Sequence, residues 1–279
     1  MHRPAVSVCI PVYNGGQFVG ETIGSVLDQT FGDFEVVVLD NASTDGTAAV
    51  LDAITDPRLR RSRNSSTVPR HANFDLAIRA SRAPLVKLLC ADDLLHPRCL
   101  ELQVDALTAD PTLAMVACRQ YLVDGHGRVL AASRALRGLT ERCDSRRVVR
   151  RIVRSGANPI GAPGSVLFRR EHFERTGGFD GRRQFTSDLE MYARLLEHGD
   201  FLGMSEALAA FRVTSGTLSS RAGRDAYREQ LETTRALSAS EIWSLPRRDL
   251  ALGRLAAPWG KWRRELVFAL SRLTSKAVP

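Results

Sequence analysis

The chain has 279 residues, of which 44% are hydrophobic and 25% charged, and a formal net charge of +8. Those proportions belong to an ordinary globular protein, of one large domain or a domain with an appendage, and no apolar run nears the roughly 18 residues of a transmembrane helix. The positive balance, carried mostly by arginines, favours anionic partners and leaves nucleotides, phospholipid surfaces and nucleic acid open.

The opening "MHRPAVSVCIPVYN" has neither the long apolar region nor the small-residue cleavage site of a signal peptide. "AVSVCIPVY" reads as a β-branched strand ending in the turn "NGG". The stretch "QFVGETIGSVLDQT" then places Phe18, Ile23, Val26 and Leu27 on one helical stripe. "FEVVVLD" is a second buried strand, and in the following "NASTDGT" Ser43, Thr44 and Asp45 are candidate helix caps. "HANFDLAIRAS" predicts a helix with Phe74, Ala77 and Ile78 inward, followed by the strand "LVKLLC". A helix over 97–109, the strand "LAMVACRQYLV" and the turn "DGHG" come next. This alternation implies parallel strands with right-handed crossovers, hence an α/β sandwich. "DSRRVVRRIVR" is a basic helix that buries Val148, Val149, Ile152 and Val153. After it come the Gly/Pro loop "GANPIGAPG", the short strand "SVLFRR", and the helix "SDLEMYARLLEHG", capped by Ser187 and closed by Gly199. Beyond about 220 strand signals cease; 222–240 and 261–276 are helical in pattern. Five cysteines (Cys9, Cys90, Cys99, Cys118, Cys143), an odd number without a C-x-x-C pair, argue against a disulfide framework and a zinc site and for a reducing cytoplasm.

"KLLCADDLLHP" runs from an apolar strand into two adjacent carboxylates, Asp92 and Asp93. Ligands of open α/β sheets collect beyond the carboxyl ends of strands, which makes the position suggestive. Capping of the next helix, with Pro97 in its first turn, is the plainer reading. Asp40, Asp92/Asp93 and Asp188/Glu190 all stand at strand ends or helix starts. A nucleotide diphosphate with a divalent cation needs such an edge: one carboxylate for base or ribose, one for metal, and one to deprotonate an attacking hydroxyl.

"VSVCIPVYNGGQFVGETIGSVLDQTFGDFEVVVLDNASTDGT", "KLLCADDLLHP", "GSVLFRREHFERTGGFD", "SDLEMYARLLE" and "FRVTSGTLS" occur in that order over roughly residues 5 to 220. Together they resemble family 2 glycosyltransferases of the GT-A fold, with a mostly parallel Rossmann-like sheet flanked by helices. The resemblance implies transfer of a sugar, with inversion, from a nucleotide-diphosphate sugar to an acceptor hydroxyl. It also implies a catalytic domain over 1–220 (nucleotide half about 1–120, acceptor half about 121–220) and a helical extension over 221–279. By that resemblance Pro11, Val12 and Tyr13 line the nucleotide, and Asp40 with Asn41 takes the base or ribose. Asp40 has a second reading, as an acceptor for the "NAST" amides, and Tyr13 one as a cover for the sheet edge.

Asp92 matches the second acid of the family's D-x-D motif and implies Mg²⁺ or Mn²⁺. The first position is Cys90, a poor ligand for hard cations, and Thr214 stands where a histidine is frequent, so the site is lean. Asp188 matches the general base; the plainer reading is a charge complementing the helix dipole. Gly164 and Ser165 fall on the acceptor side, Glu190 binds acceptor or pairs with Arg194, and Arg70, His71 and Arg212 are candidates to offset phosphate charge. A sugar-phosphate nucleotidylyltransferase would carry a basic Gly-rich loop after the first strand, which "PVYNGGQ" is not. A catalytically degenerate sugar-nucleotide-binding protein is the other alternative; Cys90 and Thr214 favour it, and the retained Asp92 and Asp188 oppose it. No reader motif supports nucleic acid. In "KWRRELVFALSRLTSK", Trp262, Leu266, Leu270 and Leu273 share a helical face flanked by Lys261, Arg264, Arg272 and Lys276. That face suits a peripheral membrane contact, the protein's own core, or a second subunit.

Overall fold

Strand β1 (Val6–Val12) is buried along its whole length, and its side chains alternate between two cores. Val6, Val8, Ile10 and Val12 face one, Cys9 the other. A strand with two apolar faces belongs in the middle of a sheet covered on both sides, and that is its place. The computed structural model describes residues 2–214 and 223–275. β1 pairs in parallel with β2 (Phe34–Asp40) on one side and β4 (Leu85–Leu88) on the other; β2 pairs in parallel with β3 (Leu59–Arg63). α1 (Val19–Leu27), α2 (Thr47–Asp52) and α3 (Arg70–Arg79) make the crossovers.

The sheet continues through β9 (Val166–Arg169), β6 (Leu113–Val123), β10 (Asp200–Arg212) and β5 (Leu94–Leu95). β6 and β10 are parallel, whereas β9 runs antiparallel between β4 and β6, and β5 is antiparallel to β10. The short β7 (Val129–Ala132) and β8 (Arg142–Cys143) pair antiparallel with β6 and β10. The result is the α/β sandwich read from the sequence, mostly parallel with antiparallel insertions. α4 (Cys99–Ala109) lies with α1 on one face; α5 (Ser145–Ser155), α6 (Arg170–Thr176) and α7 (Ser187–Leu195) lie with α3 on the other.

Several local expectations change. α4 starts at Cys99 rather than 97, leaving Pro97 outside it. α7 is preceded by Thr186, not Ser187, as its cap; the Thr186 hydroxyl is 2.9 Å from Thr233 Oγ1 and does not bond the helix amides. α2 starts after Gly46; Asp45 accepts the Thr47 amide at 3.0 Å, while Ser43 and Thr44 bond to Asn14 instead. α8 (Gly223–Ala239) matches its sequence pattern, but α9 (Arg247–Ser275) begins well before 261 and runs through Pro258. α9 crosses α5 at backbone contact: a Cβ at Gly253 would collide with the Val153 carbonyl, and one at Gly156 with the Gly253 carbonyl. Gly156 is also left-handed, φ 57°, where it terminates α5. Among the described residues no helix is long and apolar enough to cross a membrane.

Candidate active site

Parallel pairing of β2, β1 and β4 brings their carboxyl ends to one edge. Pro11 and Val12 sit opposite Leu39 and Asp40, and the Asn41 amide donates to the Val12 carbonyl at 2.8 Å. Tyr13 follows, 53% exposed. Asp40 is buried with both oxygens engaged: Oδ1 accepts the Ser43 amide at 3.0 Å and Oδ2 accepts Arg63 Nη1 at 2.6 Å. Asn41 is equally occupied, donating to the Val68 carbonyl and accepting from the Val68 amide and Asn64 Nδ2.

Beyond β4 the chain turns tightly, the Asp93 amide donating to the Cys90 carbonyl at 3.1 Å. Asp92 and Asp93 therefore cap no helix; β5 separates them from α4. One ligand atom from each of Cys90, Asp92 and Asp93 lies within 4.8 Å of the others. Asp93 Oδ1 accepts the Arg212 amide at 3.0 Å, while Oδ2 is buried with no hydrogen-bond partner. Burial raises both carboxyls, Asp93 well above the ordinary range with the Asp92 charge adding to the effect. Burial and the two carboxylates hold the Cys90 thiol protonated, a poor donor to a hard cation. Two carboxylates, one with an orphaned buried oxygen, fit Mg²⁺ or Mn²⁺; Asp93 was not among the residues singled out by motif.

Arg212 is fully buried, and its guanidinium ties this turn in place. Nε donates to the Asp92 carbonyl at 2.8 Å, Nη1 to the Gly125 carbonyl at 3.0 Å, and Nη2 to Glu21 at 2.7 Å, with the Phe18 ring 4.4 Å away. Lys87, also fully buried, donates to the carbonyls of Gly164 (2.9 Å) and Val166 (3.1 Å). It fixes the loop holding Gly164 and Ser165 against β4. A Cβ at Gly164 would stand 2.8 Å from Leu89 and 4.0 Å from Asp93 Oδ2. Ser165 is turned inward, its hydroxyl donating to the Ala162 carbonyl at 2.7 Å.

Asp188 opens α7 on the same side of the sheet. It lines one small cavity with Leu88 and Tyr192, and its charge acts on Cys90. Oδ2 accepts Asn158 Nδ2 at 3.2 Å and Oδ1 its neighbour's amide, Leu189 N, at 2.8 Å. Burial pushes its carboxyl up, against the Leu189 amide, Arg70 and Asn158, which lower it. The Tyr192 hydroxyl is buried without a partner. Glu190 pairs with Arg183 at 3.2 Å rather than with Arg194, which donates to the Thr176 carbonyl; Glu190 Oε2 has no hydrogen-bond partner. Arg70 reaches the Gln184 carbonyl and, at 3.3 Å, Ser187 Oγ.

The approach to α7 is held from α8. Glu229 accepts the amides of Gln184 (3.1 Å), Phe185 (2.6 Å) and Thr186 (3.3 Å). Nothing local in the sequence points to Glu229 or Asn158; the only signal at Asn158 is its place in the Gly/Pro loop.

The family model for glycosyl transferase family 2 matches residues 7–177. "Uncharacterized protein MT1568" of Mycobacterium tuberculosis is 30% identical over 228 residues, 78% of this chain and 70% of that one. Among solved structures, S. aureus TarS 1-349 in complex with UDP-GlcNAc superposes with a TM-score of 0.66 at 17% identity, covering 96% of this chain and 72% of that chain. The mannosyltransferase PcManGT from Pyrobaculum calidifontis, in complex with GDP-Man and Mn²⁺, gives 0.66 at 22% identity, covering 100% and 77%.

Proposed function

The chain belongs to glycosyl transferase family 2 and is a glycosyltransferase of the GT-A fold, and from that premise we propose that it transfers a sugar from a nucleotide-diphosphate donor to an acceptor hydroxyl with inversion. The pathway we assign is synthesis of a bacterial surface glycan or a secondary metabolite, in the reducing cytoplasm that five free cysteines suit. The observation that carries the reading is the cluster of Cys90, Asp92 and Asp93 beyond β4, with Asp188 lining a small cavity beside Leu88 of the same strand. The UDP-GlcNAc and GDP-Man held by the two solved neighbours support the donor class.

In this reading Pro11, Val12, Tyr13, Asp40 and Asn41 cradle the nucleoside, and residues 1–220 form the catalytic part with 221–279 as a helical extension. Asp92 and Asp93 would hold a divalent cation, which when bound neutralises charge on the donor diphosphate. Asp188 takes the acceptor's proton as the hydroxyl oxygen bonds the anomeric carbon. The bond from that carbon to the diphosphate oxygen breaks, and its electron pair leaves with the diphosphate. Asn158 and the Leu189 amide aim the Asp188 carboxylate. Gly164, Ser165 and Glu190 frame the acceptor side. Arg212, with its donors engaged in protein contacts, serves the donor site by fixing the Asp92–Asp93 turn.

Thermal denaturation against a panel of nucleoside diphosphate sugars, with and without Mn²⁺, tests the proposal. One donor at about a hundred times its Kd should add roughly 2.7 kcal/mol of stability, and the gain should shrink without the cation. No stabilisation by any member would remove the donor assignment.

A further inference from the structure

Helix α9 has two unlike faces. Inward, Asp249 is fully buried against Arg150 (2.6 Å), and Gly253 and Ala257 lie at the crossing with α5. Outward stand Leu252 (42% exposed), Leu255 (73%), Trp259 (69%) and Trp262 (57%). Their spacings of three, four and three keep them in one stripe. The two indoles meet edge to face, centroids 6.5 Å apart. The sequence continues the spacing with Leu266, Leu270 and Leu273 while the helix runs on to Ser275; those three side chains lie outside the described residues. Large apolar side chains aligned in water mark a contact surface, whereas scattered ones are unremarkable.

Charge identifies what covers it. The α9 sequence contains Arg247, Arg248, Arg254, Lys261, Arg263, Arg264 and Arg272 against two acids, Asp249 and Glu265, and Asp249 is already neutralised in the interior. Arg247, Arg248 and Arg254 are exposed beside the apolar stripe. A protein face complementary to four apolar side chains has no need of that cationic excess; anionic headgroups above an acyl layer match both parts. Indole rings are favoured at that boundary, apolar body inward and N–H toward water. We propose that α9 lies along the surface of an anionic lipid bilayer, its Leu/Trp stripe in the headgroup–acyl boundary and its arginines among the headgroups.

The test reads binding rather than turnover, so it stands whatever the donor proves to be. The full chain is sedimented with vesicles of phosphatidylcholine alone, or of equal parts phosphatidylcholine and phosphatidylglycerol. Binding should appear with the anionic vesicles, weaken with salt, and shift Trp emission to the blue; Trp243 is buried, which leaves Trp259 and Trp262 as the reporters. Leu255→Glu with Trp262→Glu should lower vesicle partition at least about tenfold at unchanged circular dichroism. Arg247→Glu with Arg254→Glu, which leaves the stripe intact, should remove the preference for anionic lipid. A full chain that stays in the supernatant with both vesicle types would overturn the proposal. So would a concentration-dependent dimer, without vesicle binding, that Leu255→Glu with Trp262→Glu dissolves, because the stripe would then belong to a second copy.

Discussion

Two regions on one edge of the sheet differ in how fully their polar groups are satisfied. At the ends of β1 and β2, Asp40 and Asn41 have every side-chain oxygen engaged by the protein. Around the end of β4 and along α7, Asp93 Oδ2, Glu190 Oε2, the Tyr192 hydroxyl and a nitrogen of Arg183 are buried with no hydrogen bond. An unpaired buried polar group costs free energy that a folded protein rarely carries without a use. The first region is therefore internally complete, its side-chain polar groups already used within the protein. The second keeps buried polar atoms, Asp93 Oδ2 and the Tyr192 hydroxyl among them, without a hydrogen-bond partner in the protein, which is what the proposed ligand site requires.

The sharpest test of this contrast is Asp188→Asn. The change preserves shape and should lower kcat by about two to four orders of magnitude with nucleotide affinity unchanged. Burial raises the Asp188 carboxyl, and only its deprotonated form can accept a proton. Activity of the parent should thus fall, as pH drops, through a value above the ordinary carboxylate range, and a pH–rate profile with its limb in the ordinary range would contradict that assignment. Next in size is Glu229→Ala, which strips three backbone amides of their charged, half-buried acceptor, at a cost of about 1–3 kcal/mol. Turnover should fall more than donor affinity, and Glu229→Gln should recover part of it. If donor binding falls in step with turnover, α8 supports the whole fold rather than the approach to Asp188.

Asp93→Asn probes the unsatisfied region more gently. Asp92 and Asp93 both have raised carboxyls in the folded chain, so their contribution to stability is best at low pH and is lost as pH rises through those raised values. Asparagine at 93 removes one of the two charges. Melting without metal should move upward at neutral pH, and the stabilisation by Mn²⁺ in the presence of nucleoside diphosphate should shrink. An unchanged Mn²⁺ response would leave Asp92 as the sole carboxylate ligand. The smallest effect on the ligand belongs to the internally complete region. Arg63 is half exposed but its partner Asp40 is buried, so Arg63→Ala, which orphans Asp40 Oδ2, should cost about 1–3 kcal/mol of stability while touching the ligand least. It should shift nucleotide Kd by less than about threefold; a larger shift would mean that Asp40 exchanges Arg63 for the ligand.

Much of this architecture could be read from local pattern. β1, β2, β4 and β6 announce themselves as apolar runs, and α5 shows both its Asp144 cap and its four buried aliphatic residues. β3, "LRRSR", has one apolar residue and depends on pairing with β2, so nothing in its own residues marks it. The antiparallel entry of β9 between β4 and β6 is a tertiary choice that "SVLFRR" does not encode locally. The same holds within the site. Asp92 and Asp188 are visible by motif and Asp93 as the other half of a strand-end carboxylate pair, whereas the unpartnered Asp93 Oδ2 shows only in the folded cluster, and Glu229 only when α8 is folded back 43 to 45 residues onto Gln184–Thr186. Arg212, a candidate for phosphate contact in the sequence, is a buried brace whose guanidinium is used internally.

The crossing of α5 and α9 has a mechanical consequence. Side chains interposed between helices deform by changing rotamer, but here a glycine brings one backbone onto the other, so the joint has little give. α5 is in turn fastened to the sheet, its Ser145 amide donating to Asp200 at the start of β10. A surface on which α9 rested would therefore stand at a fixed height from Asp188. The enzyme would select acceptors by reach, admitting those whose hydroxyl projects from that surface by the right distance and passing over chemically identical groups set closer or farther out.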